Sequence, residues 1–166
     1  MAVAAAAGLA WATLGDGDMS LRGSGEPRDD DIREVTDGLW AAAGVPSDQV
    51  TVNAYNRESK GDTVGCADLP AEDDRWVASR TSRVAGELYP QMDLFDGATA
   101  YLKDHGFEVK RYRDPVSGYL ELRAEGDEMV VFFNVERNGA AHARVVAGPC
   151  ATFMHREPPT LSDPIP

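Results

Sequence analysis

Recognisable catalytic motifs are absent from this chain. It has no G-x-S-x-G, no glycine-rich phosphate loop, no H-E-x-x-H and no internal repeat, so nucleophile-elbow hydrolases, P-loop proteins and zincins are excluded. Histidine is scarce: His105, His142 and His155 are the only three, and none stands at metal-ligand spacing from another His or Cys. No twelve-residue D-x-D-x-D-G loop ends in Glu, so the calcium-loop pattern is missing too. Cations are in the minority, 16 Lys and Arg against 28 Asp and Glu, for a net charge of -12. Phosphate backbones and anionic membrane surfaces need clustered cations, so nucleic acid and lipid headgroups are poor partners for this chain. No cofactor and no metal is expected.

Cysteine is nearly absent as well. Cys66 in "VGCADLP" and Cys150 in "AGPCATF" lie too far apart for a redox C-x-x-C, and both have polar or turn-forming flanks. A bridge between them closes a loop of about 85 residues, which the chain-entropy model credits with roughly 4 to 5 kcal/mol before strain. Such a bridge requires an oxidising compartment. The first residues point the same way. Ala2–Leu14, 13 residues, is apolar and Ala-rich; as a helix it spans roughly 20 Å, short of a bilayer core of roughly 30 Å. Ala10-Trp11-Ala12 has the small-x-small form of a cleavage site, although the cationic n-region of a secretory signal is missing before it. Residues 1–14 therefore read as an export-signal remnant or N-terminal anchor. The Gly-, Asp- and Ser-rich residues 15–29 read as a linker.

The folded body is expected over residues 30–152. In "DDDIREVTDGLWAAAG", Ile32, Val35, Leu39 and Ala42 or Ala43 recur at helical spacing, and Gly44 supplies a stop. "MDLFDGATAYLKDHGF" repeats the pattern with Leu94, Phe95, Ala98, Tyr101 and Leu102, closed by Gly106, with His105 at the cationic-preferring C-terminus. "QVTVNAY" and "RWVASRTSRVAGEL" read as strands. After residue 106 the period switches to two through "FEVKRYRD", "GYLELRAEG", "EMVVFFNVERNG" and "AHARVVAG", with Asn138-Gly139 predicting a two-residue hairpin turn. The order α-β-β-α-β-β-β-β predicts an α+β fold: a single antiparallel sheet of five to six strands with two helices on one face. Met129, Val131 and Phe133 are expected to face the helices, with Val130 and Phe132 on the other side. The Pro-rich residues 153–166 are expected to be extended and unpaired.

Among the polar residues, the arginines carry the most information. Arg75, Arg80 and Arg83 fall on one expected strand; Lys110, Arg111 and Arg113 on another; Arg123, Arg137 and Arg144 continue the series, interleaved with Glu121, Glu125 and Glu136. The simpler account is ion pairing on a solvated face. The sharper one is a recognition surface made of Trp76, Arg80, Arg111, Tyr112, Tyr119 and Arg144, with the aromatic residues as anchors.

The order of these parts resembles the small exported proteins and lipoproteins of actinobacteria, including the LppA-like mycobacterial lipoproteins. It rests on "AVAAAAGLAWA", "DDDIREVTDGLWAAAG", Cys66, "MDLFDGATAYLKDHGF", Cys150 and "REPPTLSDPIP". The resemblance implies a cell-envelope location and brings no catalytic residues with it. A lipoprotein signal places a cysteine directly after itself, and none stands there in this chain, so lipid attachment is not expected. The expected function is therefore a non-catalytic, exported module that binds a protein or small ligand at the envelope. The alternatives are an envelope-acting hydrolase built from scattered carboxylates, and an inhibitor or assembly subunit using "MVVFF" as its contact surface.

Overall fold

A computed structural model of the chain describes residues 29–53, 55–59, 76–126, 129–151 and 163–165. The export segment, most of the linker, Cys66, Arg75 and most of the tail lie outside the described residues.

Helix α1 runs Asp29–Ala42. Its buried residues, Ile32, Val35, Thr36, Leu39 and Trp40, follow the three- and four-residue spacing of one helical stripe. Acidic residues at its start complement the helix dipole. Gly44 ends it in the left-handed region (φ 78°), and Val45 N–H reaches back to Trp40 C=O at 2.9 Å, which satisfies a carbonyl the helix leaves open. Helix α2, Gln91–Asp104, buries Leu94, Phe95, Ala98, Thr99 and Leu102 and stops in the same way at Gly106 (φ 80°). His105 sits at its end with Nδ1 2.7 Å from Tyr101 C=O. The two helices meet through glycines. A Cβ on Gly97 would lie 2.4 Å from Ala42 O, and one on Gly38 would lie 2.3 Å from the Tyr101 hydroxyl oxygen.

Among the described residues, eight strands form one antiparallel sheet: β1 (Thr51–Val52), β2 (Asn56–Ser59), β3 (Trp76–Val84), β4 (Glu108–Arg113), β5 (Leu120–Gly126), β6 (Met129–Val135), β7 (Ala141–Ala147) and β8 (Asp163–Pro164). Their order is β1-β3-β7-β6-β5-β4-β8, with β2 also on β3. The fold class is α+β with one sheet, and the strand count exceeds the five to six expected. Two differences account for it. "QVTVNAY" and the residues after it form two short strands rather than one, and the tail is not wholly unpaired, since β8 lies against β4. The expected two-residue turn at Asn138-Gly139 is also longer. Glu136 N–H bonds Ala140 C=O (2.8 Å), Gly139 N–H bonds Glu136 C=O (2.9 Å), and Gly139 alone has positive φ. That makes a three-residue Arg137-Asn138-Gly139 loop with a glycine bulge, because a tighter turn needs positive φ at two central residues.

Alternation along the strands separates two faces. On one, Ala78, Val84, Leu120, Leu122, Ala124, Met129, Val131, Phe133, Val135, Ala141, Ala143, Val145 and Ala147 form the main core with the apolar stripes of both helices. Trp40 packs edge-on against Phe133 with ring centroids 5.3 Å apart, and its Nε1 donates to Ser82 Oγ at 2.7 Å. On the other face Val77, Val130 and Val146 are covered by Cys150 and Ala151, with Phe132 beside them. Cys150 is 1% exposed, and no cysteine among the described residues is free.

Candidate functional site

Strand register fixes where the anticipated surface residues fall. On the second face, Thr81, Arg144, Phe132, Arg123 and Lys110 form one row across β3, β7, β6, β5 and β4; Arg83, His142, Asn134, Glu121 and Tyr112 form the next. Arg123 links these rows. Its Nε donates to Glu121 Oε1 at 2.5 Å with both side chains little exposed, and its guanidinium lies 5.9 Å from the Tyr112 ring centroid. Tyr112 and Arg144 are therefore on this face, as is Tyr119 just before β5.

Arg80 and Arg111 are not. Arg80 stands between Ala78 and Ser82 on β3, both turned to the helices. Arg111 pairs across the sheet with Leu122, donates to Asp96 Oδ1 of α2 at 2.7 Å, and stacks 4.8 Å from the Phe95 ring centroid. Its guanidinium seals the core under α2 and is not available to a partner on the second face. The surface expected from six residues is thus divided between two faces. Trp76 opens β3 opposite Ser59.

At one end of the sheet three connections are clasped together. In the first, 85–90, Glu87 has a left-handed backbone (φ 68°) and its N–H donates to Asn138 C=O at 2.6 Å. Gly139 (φ 83°) passes so close that a Cβ would lie 2.3 Å from Tyr89 O. Gln91 Nε2 donates to Gly118 C=O (2.8 Å) and to Val135 C=O (3.2 Å), tying the start of α2 to the other two connections. In the connection 114–119, Asp114 Oδ1 accepts the N–H groups of Val116 (2.8 Å) and Ser117 (3.3 Å). These bonds, the Val116 N–H foremost, hold the Asp114 carboxyl below the usual aspartate range.

Between the connection 114–119 and the β6–β7 loop lies a depression of about 460 Å³ lined by Asp114, Ser117, Tyr119, Glu136, Arg137 and Asn138. Tyr119 links it to the second face. Burial raises its phenol pKa, the Glu121 and Glu136 carboxylates raise it further, and a hydrogen bond with Asn134 opposes them. Asn134 Oδ1 is buried and accepts no hydrogen bond among the described residues. Two apolar side chains stand out on these loops: Val116 is 91% exposed and Leu88 57%. Both stand on loops whose backbone is held by close glycine contacts and side-chain caps.

The depression presents two carboxylates, a phenol, a guanidinium, a hydroxyl and an amide. His105 is engaged with Tyr101, its ring 4.0 Å away, and His142 is exposed opposite Asn134. No group of three His, Cys, Asp or Glu side chains converges among the described residues. No helix among those residues is long and apolar enough to cross a membrane.

Of the six residues of the expected recognition surface only Tyr119 lines the depression, joined there by Arg137 and Glu136 of the wider arginine series. Sequence reasoning missed Glu87, Leu88, Val116 and Asn134. The available signal was Val116, an aliphatic residue inside the turn-forming "DPVSG", where no core can reach it. Comparison with protein-family models, characterised proteins and solved structures finds no match to this chain.

Proposed function

We propose that the chain is a non-catalytic binding module of the cell envelope, and that its partner docks on the loop end of the sheet around Val116, Leu88 and Tyr119. The observation that carries this reading is Val116 at 91% exposure on a loop whose backbone is fixed by Asp114 and Gln91. An aliphatic side chain held rigidly in water lowers the ordering cost of an interface, which favours association there. Export is supported by the signal-like residues 2–14 and by the resemblance to actinobacterial envelope proteins. It is further supported by the state of Cys150, which is buried and not a free thiol; its proposed partner is Cys66, joining the strand-end cluster to the long connection before β3.

Two measurements test the parts separately. A photo-crosslinking residue at position 116 or 88, in intact cells, is expected to give one discrete envelope adduct that is absent when the probe sits at Lys103 on α2. Adducts of equal yield at all three positions, or at none, refute the docking assignment. Intact mass of the non-reduced protein is expected to show no reactive thiol, and two alkylated cysteines would remove the bridge.

A further inference from the structure

The edge strand β4 is paired unequally on its two sides. Toward β5 it pairs through six residues, Glu108 to Arg113. On the other side, among the described residues, it pairs only with β8, Tyr112 opposite Pro164 and Arg113 opposite Asp163. Ile165 N–H donates to Arg111 C=O at 2.9 Å, and the Ile165 side chain is partly buried against the main core. In an extended strand the N–H and C=O of one residue point to the same side, so the groups of Val109, Arg111 and Arg113 face outward, away from β5.

The short strand shows what this edge accepts. Its aliphatic residue enters the core margin, its acid stands opposite an arginine, and its proline occupies the position whose N–H would point away from β4, where proline costs no ladder bond. The receiving strand, "EVKRYR", carries three cations to one acid. Both Asp163 and Pro164 are exposed, and among the described residues the ladder is two pairs long, so the hold there is slight.

We infer that the β4 edge is a strand-addition site for an extended, acidic segment of a partner protein with the order Asp-Pro-aliphatic, and that β8 occupies it as a built-in competitor. A longer incoming strand gains what β8 does not take among the described residues: pairing with Glu108, Val109 and Lys110. Main-chain bonds supply the affinity, the aliphatic slot and Arg113 supply the selectivity, and displacement of β8 sets the threshold. This site adjoins the loop end at Arg113–Asp114 but uses the outer edge of β4 and not Val116, Leu88 or Tyr119, so its failure leaves that assignment standing.

The test uses the full chain and a labelled peptide of residues 160–166, TLSDPIP. Apparent affinity falls with the fraction of molecules whose edge is open. The Ile165→Ala chain is therefore expected to bind the peptide about fivefold or more tighter than the unchanged chain, and Arg113→Glu in that background is expected to weaken it about tenfold. Amide exchange should slow on binding at Arg111 and Arg113, the outward-facing residues that the peptide reaches in the β8 register. Should Ile165→Ala lose the fold, Asp163→Lys replaces it, since Asp163 is exposed and stands opposite Arg113. Equal or absent binding to both chains, or protection away from β4, overturns the inference. A dimer of the chain that forms with concentration and excludes the peptide also overturns it, by giving the edge to a second copy.

Discussion

Gly97→Ala and Gly38→Ala form a matched pair, and the structure separates their outcomes. Both glycines lie at the crossing of α1 and α2, and in both a new Cβ overlaps the other helix, at 2.4 Å for Gly97 and 2.3 Å for Gly38. By distance alone Gly38 is the worse site. The identity of the neighbour reverses the order. At Gly97 the obstruction is backbone, Ala42 O and Ala43 Cα, in the last turn of α1, so the helix itself must withdraw. Overpacking of that kind costs about 1–3 kcal/mol, and withdrawal also loosens the contacts of Leu39 and Ala43 with the core. The helix propensity gained by replacing glycine returns at most about 1 kcal/mol. A net loss of about 2 kcal/mol is expected for Gly97→Ala, a fall in Tm on the order of 5–10 °C. At Gly38 the obstruction is the tip of the half-buried Tyr101 side chain, which can rotate toward solvent. Lost packing and gained propensity there nearly cancel, and stability should stay within about 1 kcal/mol of the parent. Urea and thermal unfolding followed by far-ultraviolet circular dichroism measure both. Equal stability of Gly97→Ala and the parent, or a larger loss for Gly38→Ala, would refute the reasoning.

Three further outcomes are expected. Ser82→Ala leaves the Trp40 indole N–H buried without its acceptor and should destabilise by about 1–3 kcal/mol in the same unfolding assays, whereas Ser82→Thr, which keeps a hydroxyl, should lose less. Glu87→Gly relieves a left-handed backbone at a non-glycine residue and should be neutral to stabilising by up to about 1 kcal/mol; a clear loss would show that the Glu87 side chain holds the loop. Titration bounds the stable range on both sides. Tyr119 and Tyr101 have raised pKa values, both chiefly from burial, so their stabilising contribution is complete below the ordinary tyrosine value and is lost as pH rises through the raised folded values. Asp114 is lowered, so its contribution is complete above the ordinary aspartate value and disappears as pH falls through the lowered one. Tyrosinate absorbance and the Asp114 carboxyl carbon shift read the two ends directly, and unshifted titrations would contradict the geometry.

The helices and the meander were legible because their cause is local. Ile32, Val35 and Leu39 in α1, and Leu94, Phe95, Ala98 and Leu102 in α2, repeat at the period that one buried stripe requires, and Gly44 and Gly106 mark the stops. The two faces of β6 were legible for the same reason: Met129, Val131 and Phe133 alternate with Val130 and Phe132. Relations between distant segments were not. Period two says that Arg111 and Tyr112 point oppositely, but which of them meets a helix depends on where α2 crosses β4. Because α2 places Asp96 and Phe95 over that edge, it is Arg111 that packs inward. β8 is two residues long and has no periodicity to read. The loop end exists only where residues near 87, 118 and 138 meet, and no one of those stretches reveals the other two. Tyr119 was found as an aromatic anchor on a strand, without its setting between Glu121, Glu136 and Asn134.

The placement of β3 beside β7 also governs how the chain reaches this state. The hairpins β4–β5, β5–β6 and β6–β7 join neighbours in sequence, but the β3–β7 ladder of seven residue pairs, from Ala78 with Ala147 to Val84 with Ala141, joins residues separated by α2 and the whole meander. Closing a connection of about 60 residues carries an entropic charge that short hairpins avoid, and it must be met before the contacts that reward it exist. On this ground the meander is expected to nucleate folding, with β3 and α1 docking onto β7 afterwards. Substitutions at Val131 and Leu122 should slow folding, whereas those at Val77 and Val84 should chiefly speed unfolding. A sheet that is one layer in space is thus expected to form, in time, as two pieces joined along the β3–β7 seam.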